Sequence, residues 1–80
     1  MNPQVTQVEA LPNYKLRVRF ENDETRDFDA APFLDKGIFE ELKDENYFQQ
    51  GRVVFGSVEW QNEQDFSKDT LYILGTPSGT

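Results

Sequence analysis

Residues 14–20 alternate without a break: Tyr14, Leu16, Val18 and Phe20 fall on one parity, Lys15, Arg17 and Arg19 on the other. Successive side chains of a strand point to opposite faces, so this pattern predicts a strand with one buried and one solvated face. The acidic stretch Glu21-Asn22-Asp23-Glu24 then reads as a turn, and residues 25–29 as the returning strand. Two registers are open. A two-residue loop at Asn22-Asp23 sets Val18 against Asp27 and Arg17 against Phe28, which mixes the faces. A three-residue loop, Glu21-Asn22-Asp23, restores parity: Leu16 faces Phe28, Arg17 meets Asp27 and Lys15 meets Asp29. The second register is the expectation, because a one-residue slip exchanges the faces wholesale. It requires Asp23 in the left-handed region, which Asp tolerates better than most residues. Upstream, Val5-Thr6-Gln7-Val8 is β-rich and leads to a turn at Leu11-Pro12-Asn13.

The middle third changes character. Ala30-Ala31-Pro32-Phe33-Leu34 suits a short helical turn, with Pro32 at its first position and Gly37 at its end. Ile38-Phe39-Glu40-Glu41-Leu42 spaces its apolar residues for one helical face. Asp44 is placed to cap the segment Glu45-Asn46-Tyr47-Phe48, and Gly51 to stop it. Strand character returns at residues 52–55 and 57–60, with Gly56 either a tight turn between two strands or a bulge within one. Asn62-Glu63-Gln64-Asp65 is a polar loop. Ser67 caps a last helix over residues 68–74, which buries Leu71 together with Leu74 or Tyr72. The expected fold is therefore α+β: a small antiparallel sheet of about four or five short strands, with two to four short helices on one face or end. Residues 1–74 form the single domain, and residues 75–80 a disordered tail without an apolar anchor.

Composition narrows the picture further. Eighty residues suffice for one domain, and a chain this small buries only about 60% of its unfolded surface. With no Cys there is no disulfide, and with no His either, no zinc set is expected. Burial of aromatics carries the stability instead: 7 Phe, 3 Tyr and 1 Trp. Met1-Asn2-Pro3-Gln4 has no basic region followed by an apolar run, and no stretch is long and apolar enough for a membrane span, so a cytoplasmic protein is expected. The formal net charge is −7, from 15 acids against 8 bases. Such a surface repels phosphate backbones, which argues against direct nucleic-acid binding.

No motif for chemistry stands out. Without His and Cys the commonest acid–base and nucleophilic groups are missing, and Ser57, Ser67 and Ser78 lack a nucleophile setting. The glycines never cluster as phosphate loops require. The acidic turns have no calcium-loop spacing and read better as solvated turns and caps. No catalytic residue, cofactor or metal is therefore assigned. The basic stripe Lys15, Arg17, Arg19 is the one cationic concentration, and Asp27 and Asp29 opposite it should neutralise most of it.

The alternating strand, its hairpin, the Ala-Pro-Phe-Leu turn and the string Trp60-x-Asn62-x-x-Asp65-Phe66-x-x-Asp69-Thr70-Leu71-Tyr72 together resemble bacterial domain-of-unknown-function family 2442. That family has the Nitrosomonas N-terminal-domain type of α+β fold, and the likeness runs from about Val5 to Tyr72. Asn22-Asp23 stands where the family commonly has Asp-Gly, and Gln61 and Glu63 where it often has Pro and Gly, which touches loop geometry rather than fold. The resemblance implies members that occur alone, beside another small protein in toxin–antitoxin-like arrangements, or fused to helix-turn-helix domains. The leading expectation is a noncatalytic interaction module with a protein partner, as the antitoxin-like or regulatory half of a two-protein system; a homodimer is compatible with it. The alternatives are a small-ligand sensor detached from a DNA-binding partner and a carboxylate-based metal-dependent enzyme. Trp60, Asn62, Asp65 and Tyr72 form the candidate interaction surface. An exposed Trp60 or Tyr72 would anchor a partner, although Trp60 shares parity with Val58, which suits the core. Asp65 reads as a loop-closing acceptor.

Overall fold

A computed structural model describes residues 2–77. The α+β expectation holds, with seven strands in two antiparallel sheets among the described residues. The larger sheet has the order β1-β2-β3-β7, built from β1 (Val5–Leu11), β2 (Lys15–Phe20), β3 (Thr25–Asp29) and β7 (Thr76–Pro77). The smaller has the order β4-β5-β6, from β4 (Arg52–Val54), β5 (Ser57–Glu59) and β6 (Asp65–Phe66). Between them run a 3₁₀ turn (Ala31–Phe33), a 3₁₀ helix (Gly37–Lys43) and α1 (Glu45–Phe48); α2 (Lys68–Leu74) precedes β7.

The β2–β3 hairpin adopts the parity-preserving register. Leu16 pairs with Phe28, Arg17 with Asp27 and Lys15 with Asp29, and Asp23 has φ +69°. Leu16, Val18, Phe20 and Phe28 are buried while the basic residues between them face solvent. The expected neutralisation is only partly realised. Arg17 Nε lies 2.9 Å from Asp27 Oδ1, whereas Asp29 Oδ1 accepts the Ala31 N–H at the start of the 3₁₀ turn and makes no ion pair with Lys15 among the described residues. Arg19 instead reaches Asp23 at 3.2 Å.

Helix geometry corrects one expectation. The segment around Ile38 winds as a 3₁₀ helix, in which residues three apart lie on one face. Phe39 and Leu42 therefore turn inward, and Ile38 stands 59% exposed. Gly37, at φ +52°, opens this helix rather than ending the turn before it. The caps are as read: Asp44 Oδ1 accepts the Asn46 N–H, and Ser67 Oγ accepts the Thr70 N–H. In α2, Leu71 is buried and Tyr72 half-buried, while Leu74 is exposed.

Phe66, on a strand of only two residues, sits at the centre of the core. Phe28, Phe39 and Trp60 place their ring centroids 4.9, 5.0 and 5.8 Å from it, so one aromatic joins both sheets and the 3₁₀ helix. Such ring pairs contribute about 0.5–1.5 kcal/mol each beyond area burial. Beyond α2, Gly75 is buried and residues 76–77 pair with Asp27 and Arg26. The remainder of the expected tail, residues 78–80, lies outside the described residues. Among the described residues no helix is long and apolar enough to cross a membrane.

Candidate interaction surface

The residues singled out along the chain separate into different environments. Trp60 is 2% exposed and belongs to the core. Its Nε1 donates to Phe48 O at 2.9 Å and its ring stacks on Phe48. Gly51 makes room for it, since a Cβ there would fall 2.8 Å from the indole ring. Tyr72 is half-buried: its ring packs edge-on against Phe20 and lies under the Arg26 guanidinium, and its hydroxyl donates to Glu24. Neither aromatic is free to anchor a partner as an exposed side chain.

Asn62 and Asp65 flank a polar network that sequence reading took for a plain loop. Gln64 within it is 1% exposed. Its Oε1 accepts the Tyr47 hydroxyl at 2.7 Å, and its Nε2 donates to Ile38 O and to Glu41 Oε1, both at 2.9 Å. Tyr47 Oη in turn accepts the Asn62 N–H, and Asn62 Nδ2 donates to Glu41 Oε2. Asn62 is thus committed to holding the loop on the 3₁₀ helix and α1. Asp65 is exposed, and the loop is closed by backbone bonds between Trp60, Glu63 and Gln64 and by Tyr47, not by its carboxylate. Every buried side-chain nitrogen and oxygen among the described residues has a partner.

The residue that sequence reading missed is Phe55. β4 and β5 pair from Arg52↔Glu59 to Val54↔Ser57, leaving Phe55-Gly56 as a two-residue loop. Both have positive φ, +49° and +79°, the signature of a type I′ turn. Gly56 is therefore a hairpin turn and not a bulge. The first position of such a turn favours Asn, Asp or Gly; a bulky side chain there is strained. Phe55 is also 98% exposed. The tip carrying it is held firmly: Val5 N donates to Gly56 O at 2.9 Å, and a Cβ on Gly56 would meet the Gln4 side chain at 2.9 Å.

Charge around the surface is ordered by local partners. Hydrogen bonds from Tyr72 and Arg26 hold the Glu24 carboxyl below its ordinary pKa. Arg17 does the same for Asp27, and Lys43 for Asp35. A cleft of about 280 Å³ opens between residues 10–14 and α1, where Tyr14, at φ +60°, packs edge-on against Phe48. No three His, Cys, Asp or Glu among the described residues gather as a metal-binding group.

Residues 5–76 match the model of the family described as protein of unknown function (DUF2442). The chain belongs to this family. The DUF2442 match covers both sheets, the aromatic core and the Gln64 network, and ends at the first residue of β7. A search of curated proteins and a search of solved structures each found no match.

Proposed function

We propose that this DUF2442 domain is a noncatalytic interaction module whose anchor is Phe55. The observation that carries the reading is a double local penalty at one residue. A left-handed conformation disfavours Phe by about 1–2 kcal/mol, and full exposure forgoes the burial an aromatic otherwise gains. Among the described residues no side chain packs on Phe55 to offset either, so a contact outside the domain supplies the reason for an aromatic there. Aromatics held on rigid elements are the residues that dominate binding hot spots. The specific form of the reading is the antitoxin-like or regulatory half of a two-protein system, acting in the cytoplasm.

The tagged full chain, recovered from the cells it comes from and compared with Phe55→Asn by quantitative mass spectrometry, tests this. The expected result is at least one protein enriched about tenfold or more with the native chain and lost with the variant, as hot-spot truncation implies. Equal recovery of the same proteins by both would overturn the reading.

A further inference from the structure

We infer, building on the reading of Phe55 as an anchor, that the β4–β5 tip forms one docking surface with Glu21 and Asp69 for a basic protein, Phe55 entering an apolar pocket rimmed by Lys or Arg. Residues 2–4 run beside the tip and tie it to two carboxylates. Gln4 N donates to Glu21 Oε2 at 2.9 Å, and Glu21 N returns a bond to Gln4 O at 2.8 Å. Asn2 Nδ2 donates to Asp69 Oδ1 at 2.9 Å. Gln4 itself lies against Gly56. Glu21 and Asp69 are thus tied to the segment that lies against the tip, and both are held by N–H donors, which fix their positions without neutralising them.

Two bases are already paired, and two others offset the carboxylates only in part. Arg19 is engaged by Asp23, Arg26 by Glu24, and Arg52 stands across the hairpin from Glu59; Lys68 adjoins Asp69 and offsets part of its charge. The whole molecule adds a net charge of −7. A cationic surface is therefore steered toward the tip and an anionic one repelled. A second copy of this chain fits poorly, since a two-fold contact through the tip would bring the same carboxylates together. Rigidity contributes too. The buried Gly56 and its bond from Val5 hold the turn before any partner arrives, so little ordering entropy is lost on docking.

Photo-crosslinking separates this inference from the reading beneath it. A photoreactive phenylalanine analogue is placed at position 55 of the full chain, with the exposed Glu40 position as control, in the cells the protein comes from. The expected result is one adduct at 55, absent at 40, to a protein of net positive charge. Its yield falls about tenfold with Glu21→Lys/Asp69→Lys and severalfold with Glu21→Gln/Asp69→Asn, which remove charge but keep the amide bonds. Circular dichroism of each variant confirms folding. Equal adducts at 55 and 40 would remove both the surface and the anchor. A specific adduct to one protein whose yield ignores all four substitutions would overturn the basic partner while leaving the anchor standing. An adduct to a second copy of the chain would overturn the partner class.

Discussion

At the scale of single residues, five non-glycine positions among the described residues take the left-handed region, Asn13, Tyr14, Asp23, Phe55 and Glu63, while a close approach dictates a glycine elsewhere. Gly51 is a glycine because the Trp60 ring occupies the place of its Cβ, at 2.8 Å. Gly51→Ala must displace the indole or bend the chain, so it should destabilise by about 1–3 kcal/mol. Urea unfolding followed by Trp60 emission checks this; unchanged stability would mean that the indole has slack to move. Asp23, at φ +69°, is a residue type that tolerates the left-handed region, and Tyr14, at φ +60°, is held by its edge-on contact with Phe48 and by its hydroxyl bond to Lys43 O. Phe55 stands apart because a bulky apolar side chain there combines the strain with full exposure.

At the scale of elements, local patterns were readable and tertiary ones were not. The β2–β3 register followed from period-two alternation, because a slip would have buried Arg17 and exposed Phe28. The caps at Asp44 and Ser67 were legible because a cap is a bond to backbone two or three residues away. Gln64 left no such signal. It sits in a polar string, and its burial is imposed by Tyr47, Ile38 and Glu41, which lie between 17 and 26 positions away. The two-residue strands β6 and β7 are too short for any periodicity. Phe55 fell within the β-rich segment 52–55 and so read as strand, although a residue directly before glycine between two short strands is also where a two-residue turn falls. Of the four residues nominated for a surface, Trp60 proved to be core, Tyr72 half-buried and Asn62 engaged, leaving Asp65 exposed without a hydrogen-bonding role in its loop. The Gln64 network yields a test at this scale. Gln64→Leu keeps the volume but removes the Gln64 partner from the Tyr47 O–H, Ile38 O and Glu41 Oε1, and should lower stability by about 1–3 kcal/mol. Amide exchange should then quicken first in the 3₁₀ helix; uniform quickening across the domain would show that the network does not secure that element in particular.

For the whole molecule, the excess of carboxylates makes stability depend on pH in a definite direction. Glu24 and Asp27 have pKa values below ordinary in the folded state, through Tyr72 with Arg26 and through Arg17. A depressed carboxyl stabilises the fold above its unfolded value, and that contribution disappears as the pH falls through the folded one. Stability should therefore hold near neutrality and fall from about pH 5 downward. Glu24→Gln should be less stable at neutral pH and lose less on acidification, as urea midpoints at neutral and acid pH would report; parallel acid limbs would contradict the assignment. The same marginal fold bears the tip that defines the proposed function. The most direct measurement is the thermal midpoint of the isolated chain against Phe55→Asn. If Phe55 is kept for a contact outside the domain, Asn should relieve the turn and raise stability by about 1 kcal/mol, a gain of roughly 4–8 °C. A lower midpoint for Phe55→Asn would show that Phe55 serves its own fold, and would contradict the account.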